Sequence, residues 1–347
     1  MAEDARSRNI SRSHIPCGLR DLTRPYPGFS LQDKVDGHQK DPFTPWLSPV
    51  TTPLVTPDPR SVLIELSSPE ILALYTSHMV HTGSATHSLA VAHIVGEFMG
   101  HVGRTIPFSE QSERTLILAA VLHDTGKLDN QFHFGVTMNP DRLTEQDRKA
   151  YLARHVIRGV ELLHWQLQGD LRQLTPDETS LLAYVAGHHG FDGYYSNVGQ
   201  ELITRGLFSF QDVMMYRIAM EMVRQTRSSQ QLSRLMEHPH QSFQLWIERA
   251  VGTQLLILAD VTSALLEKRE YKAGMSMQEV IGVTTRMLQE KTASSLMRIY
   301  HDWAVYADRT VGSPSYPALL MQHLIAIERS VMNHPMYQRI RDGFSSN

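Results

Sequence analysis

The chain has 347 residues, one cysteine and a formal charge of −3. That length is enough for one large domain or two small ones with a sizeable core. The lone Cys17 excludes an internal disulfide framework and fits a reducing compartment. No basic excess marks a nucleic-acid groove, and duplex nucleic acid is not indicated as a partner. No unbroken apolar run approaches the roughly 20 residues of a membrane span. Charges fill the first residues, where a secretion signal would be apolar. A cytoplasmic protein without membrane contact is expected.

Residues 1–60 are polar and proline-rich and keep neither a helical nor a strand period, which predicts an irregular or partly ordered N-terminal arm. The texture then turns helical, and residues 61–347 read as one helical domain. Ser68-Pro69 pairs an N-cap with a first-turn proline. Leu89, Val91, Ile94, Val95 and Phe98 form an apolar stripe over 84–102, and 115–122 is apolar enough for a buried helix. Thr144-Glu145-Gln146-Asp147, Thr175-Pro176-Asp177-Glu178 and Ser276-Met277-Gln278-Glu279 predict capped helix starts. Met214, Met215, Ile218, Met220 and Met222 cluster at helical spacing and read as core packing. C-terminal helices over 283–340, with Trp303, Tyr306, Leu319, Leu320, Ile325 and Ile327, complete a bundle. Strand signals are nearly absent, so the fold class is all-α.

The 18 histidines carry the chemistry. In Val121-Leu122-His123-Asp124-Thr125-Gly126-Lys127 an apolar helix ends in histidine and aspartate, then a glycine suited to a helix C-terminus. Off that end an imidazole and a carboxylate can both reach a metal, and the carboxylate has an oxygen for each of two ions. Lys127 would add a point charge beside a phosphate. Gly187-His188-His189-Gly190 places two adjacent histidines after a second apolar run, an expensive choice for a plain core. His87, His155 and Asp260 each lie on an apolar helical segment. The pair His301-Asp302 is given no role, and His238 and His240, beside Pro239, read as surface residues.

In this order the motifs resemble the HD-domain metal-dependent phosphohydrolases, and most closely their HD-GYP subgroup of cyclic di-GMP phosphodiesterases. The resemblance runs over about 80–290. It passes through His87-Ser88, His123-Asp124-Thr125-Gly126-Lys127, His155 with Gly159 and Leu162, and His188-His189 with Asp192-Gly193. It ends on Ala259-Asp260-Val261, Ala264-Leu265 and Arg269-Glu270-Tyr271-Lys272. It implies an HD-type bundle with His87, His123, Asp124, His155, His188, His189 and Asp260 as metal ligands. Asp124 would bridge two ions, and a bridging hydroxide would attack the phosphorus. Lys127 would contact the scissile phosphate, and Arg269 and Lys272 would hold the substrate's other phosphates. Imidazole with carboxylate suits iron or manganese better than zinc.

Three features depart from the subgroup. The Gly-Tyr-Pro element is degraded to Gly190-Phe191-Asp192-Gly193-Tyr194-Tyr195-Ser196-Asn197. Gly83 stands where trimetal members carry a glutamate, which favours two ions. The interval from His189 to Asp260 is long, and its 200–250 portion reads as an inserted helical segment: a lid, a homodimer contact or a partner-recognition element. The expected activity is binuclear-metal hydrolysis of a cyclic dinucleotide such as cyclic di-GMP. Another nucleotide or phosphorylated metabolite, or a metal-bound sensor or interaction module of weak activity, is the alternative.

Overall fold

A computed structural model of the chain describes residues 85–102, 106–128, 144–168, 173–189, 198–238, 240–267 and 275–310, with isolated positions between 59 and 75 and between 320 and 342. Residues 1–58, Ser68-Pro69, Gly83, residues 190–197, Arg269, Lys272 and most of the C-terminal segment lie outside the described residues. Among the described residues there are ten α-helices, one short 3-10 turn and no strand. The helices are α1 (Ala85–Val102), α2 (Glu110–Leu122), α3 (Glu145–Leu167), α4 (Pro176–Gly187), α5 (Val198–Thr204), α6 (Phe210–Arg224), α7 (Ser229–Met236), α8 (Gln241–Leu266), α9 (Met277–Leu288) and α10 (Ser294–Thr310). The 3-10 turn, Thr125–Leu128, follows α2 directly.

The helix starts follow from local chemistry. Thr175 and Ser276 each accept from the backbone N–H of the third helical residue, while Glu178 and Glu279 reach back to the cap's own N–H. Each box pairs donors that the first turn would otherwise leave unpaired. Ser209 and Asp212 make the same exchange at α6, and Ser109 caps α2.

Helix α8 organises the bundle. It packs against α1, α2, α4, α6, α7, α9 and α10, while α2 lies between α1 and α4. Gln241–Leu266 is long and apolar enough to cross a membrane by length and composition alone, and 72% of its most apolar window is buried among its neighbours. Two backbone approaches tighten this centre. A methyl group at Gly252 would lie 2.6 Å from Cε1 of Tyr184, and one at Gly187 would lie 2.2 Å from the hydroxyl of Tyr216. Tyr216 belongs to α6, so the 200–250 segment packs beneath the end of α4. Its buried face is Val213, Tyr216, Ala219 and Val223. This modifies the expectation for the methionines: Met215 and Met220 flank that face, while Ile218 is exposed.

Arg249 is an ion in the apolar interior. Its Nε donates to Ser180 Oγ at 2.9 Å, a terminal nitrogen donates to Pro176 O at 3.1 Å, and its guanidinium lies 4.2 Å from the centre of the Trp246 ring. Burial pushes its pKa down to about 10, still cationic at neutral pH. Arg249→Ala should therefore lower stability in urea by about 3 kcal/mol, from the lost charge-assisted hydrogen bonds and stacking. Roughly 16 Å of helix separates it from Asp260, so metal content of the purified variant should match the parent.

Candidate metal centre

Five histidines and two aspartates from five separate helices and their ends converge in one buried region. Helix α1 brings His87, the end of α2 brings His123 and Asp124, and α3 brings His155. The end of α4 brings His188 and His189, and α8 brings Asp260. His123 and His188 are the C-cap residues of their helices. Helix C-termini carry partial negative charge and orphan carbonyls, which suits a cation nearby. Nδ1 of His123 lies 2.7 Å from Ala120 O, and Nδ1 of His188 lies 2.6 Å from Val185 O. Thr125 Oγ1 donates to Leu122 O at 2.8 Å, which pairs another of these carbonyls.

The glycine after His-Asp-Thr has a different reason from the one expected. It does not sit in the left-handed conformation that caps helices; among the described glycines only Gly206 has positive φ. A Cβ on Gly126 would instead lie 1.7 Å from His155 O and 2.6 Å from Gly159 N. The 3-10 turn thus rests directly on the backbone of α3, and this contact holds His155 against Asp124.

Two donor groups result: His87, His123 and Asp124, and His155, His188 and His189, with the ligand atoms of each group within 4.8 Å of one another. Asp124 faces both, since Oδ2 lies 3.6 Å from His123 Nε2 and Oδ1 lies 3.4 Å from His155 Nε2. Asp260 Oδ1 accepts from His87 Nε2 at 2.9 Å and lies 3.8 Å from His123 Nε2. His155 and His188 bring their Nε2 atoms to 3.2 Å. Lys127 stands at the edge and forms an ion pair with Asp124 Oδ2.

The electrostatics divide the region. Burial pushes His155, His188 and His189 down, so these rings are neutral at pH 7 and available as ligands. Burial alone would also lower His87, but hydrogen bonds and charges from Asp260 and Glu267 outweigh it and raise the ring to about 9. Burial alone would raise Asp124, yet Lys127, His123, His155 and His87 hold it well below the usual carboxylate range. Asp260 is likewise held down, against its burial, by the His87 hydrogen bond and by His123, His87 and His189.

The donor set fits a divalent cation. His123 is 1% exposed and its Nε2 has no hydrogen-bond partner, although two carboxylates face it. A buried ring nitrogen left so costs about 1–3 kcal/mol, which a coordinated cation would remove. The neutral rings of His155, His188 and His189 and the ionised Asp124 and Asp260 are in the protonation states that metal binding needs, while His87 must first give up a proton.

Glu267 is the neighbour that motif reading passed over. Its Oε1 lies 2.5 Å from His87 Nδ1. The signal was present in the helical period: Asp260, Ser263 and Glu267 are spaced three and four residues apart and share one face of α8.

Two outcomes follow from this geometry. Gly126→Ala forces the turn away from α3, and we expect a stability loss of about 3 kcal/mol or more in thermal unfolding, with reduced metal content. Gly159→Ala, whose methyl would lie 3.3 Å from Gly126 N, should be the milder change. The two donor groups should also differ in pH response. A cation at His87 must displace a proton held up to about pH 9. Affinity there should rise about tenfold per unit between pH 7 and 9 and then level off. Sites made by the three already neutral rings should change little over that range. Metal titrations at pH 7, 8 and 9, with His87→Ala as reference, read this directly.

No curated protein and no solved structure matches the chain. A family model described as Cas3, HD domain, matches residues 69–265, more than half of the chain and all seven of these ligand candidates. The chain belongs to the Cas3 HD-domain family, and with it to the HD superfamily of metal-dependent phosphohydrolases.

Proposed function

We propose that the protein is a metal-dependent phosphodiesterase with two divalent cations, iron or manganese by donor type, in the region around Asp124. The observation that supports this most is the pair of donor groups with one carboxylate facing both. His87, His123 and Asp260 would hold one ion; His155, His188 and His189 the other, with Asp124 shared. Such a pair lowers the pKa of water and neutralises charge on a phosphoryl group. The chain's own part is to orient the rings and exclude bulk water. Two imidazoles are fixed by the carbonyls of Ala120 and Val185, and the walls Val121, Leu122, Val185 and Ala186 are buried. Lys127 adds a positive charge beside Asp124 for an anionic substrate.

For substrate, the family membership favours a nuclease-like reaction on a nucleic-acid strand. The formal charge of −3 gives no overall basic excess, so we place the strand contacts at the site's edge. A second reading, cleavage of a cyclic dinucleotide such as cyclic di-GMP, rests on the motif order through Ala259-Asp260-Val261 and Arg269-Glu270-Tyr271-Lys272. Both substrates present the same phosphodiester bond. Protein loaded anaerobically with manganese or iron would be offered single-stranded DNA, single-stranded RNA and cyclic di-GMP. We expect strand cleavage that falls on the order of a thousandfold in Asp124→Ala. Turnover of cyclic di-GMP alone would favour the second reading. A metal-loaded protein inert on all three would leave another phosphorylated metabolite, or a metal-held interaction module.

A further inference from the structure

The histidines of the centre solve one problem in two ways. His123 and His188 end their helices, where the last carbonyls lack intrahelical donors. Each Nδ1 lies against such a carbonyl, Ala120 O or Val185 O. A carbonyl only accepts, so the proton sits on Nδ1 and the lone pair of Nε2 is left for the centre. His87 has no such partner in its own helix. It lies in the first turn of α1, where the unpaired backbone groups are N–H donors.

Its Nδ1 proton is taken by another helix. Glu267, which caps the C-terminal end of α8, places Oε1 2.5 Å from that nitrogen. Ser263 Oγ donates to the same carboxylate oxygen at 3.1 Å and lies 3.2 Å from His87 Nδ1. Asp260, two helical turns earlier on the same face, meets the other nitrogen, Nε2, at 2.9 Å. One face of α8 therefore grips both ends of the ring. We propose that Glu267 is a positioning residue of the metal centre: it accepts the Nδ1 proton of His87 and so makes Nε2 the ligand nitrogen. A ring whose second nitrogen donates to a carboxylate is also the more basic ligand. A pure tie between α1 and α8 would need no such match of one carboxylate to each nitrogen.

This rests on the metal reading above. The test is manganese(II) titration of the metal-stripped full chain at fixed pH, by calorimetry. Glu267→Ala should weaken the His87-dependent site by 10–100-fold and leave the other site unchanged. Glu267→Gln, whose amide oxygen still accepts the proton, should recover much of that loss, which also guards against a variant that fails to fold. In a His87→Ala background, Glu267→Ala should have no further effect on manganese affinity. With zinc as a diamagnetic probe, the His87 ring should carry its proton on Nδ1 in the parent chain. Parental affinity in Glu267→Ala, or the same loss with His87 already gone, would overturn the assignment of Glu267 alone. A parent chain that binds no manganese would overturn the metal reading and this one together.

Discussion

Desolvation governs this centre. Charge taken out of water into a packed helical interior is costly unless it is paired. The three rings of His155, His188 and His189 respond by staying neutral. The groups that stay ionised have opposite charge or imidazoles beside them: Asp124 and Asp260 among the rings and Lys127, and His87 between Asp260 and Glu267. The result is a compact set of lone pairs and negative oxygens with few protons to spare. That balance holds only while the helix ends stay in place, so the packing of α2, α3, α4 and α8 is part of the chemistry. Edge-to-face contacts run on from His87 to His123 and from His123 to His188, at 5.5 and 5.1 Å between ring centres. Moving one helix end would disturb the whole row.

Helix α8 shows how one segment serves several demands. Its apolar length binds the bundle, yet it carries Glu248 and Arg249 near its middle and Asp260, Ser263 and Glu267 toward its end. Glu248 accepts from Ser112 at 2.9 Å and is raised by burial, while Arg249 holds the first turn of α4. The helix that positions ligands at one end thereby also holds, three turns earlier, the far end of α4, away from His188.

Much of this was legible in the sequence, and the physical reason is local. Capping boxes at Thr175 and Ser276 announce themselves because donor and acceptor lie within four residues. The histidine and aspartate motifs stand out because buried imidazoles are rare without a purpose. The features that escaped are those whose cause lies across the fold. Gly126 looked like a helix cap, but its constraint comes from the backbone of α3. Glu267 belongs to no motif, because its partner is 180 residues away. The α6 methionines looked like core, yet Met215 and Met220 are partly buried beside a face made by Val213, Tyr216, Ala219 and Val223.

The close approaches at Gly126, Gly187 and Gly252 carry a consequence for how this chain can diverge over time. At each of these positions the nearest atom to an added methyl is under 3.0 Å away, so even alanine has no ready place. Neutral drift is then closed at three points of the scaffold that carry no metal-ligating side chain. It stays open on surfaces such as Trp165, Phe210 and Met287, which are exposed. Descendants of this sequence could change their outer faces freely while the interior spacing of the helices stays frozen to within a methyl group.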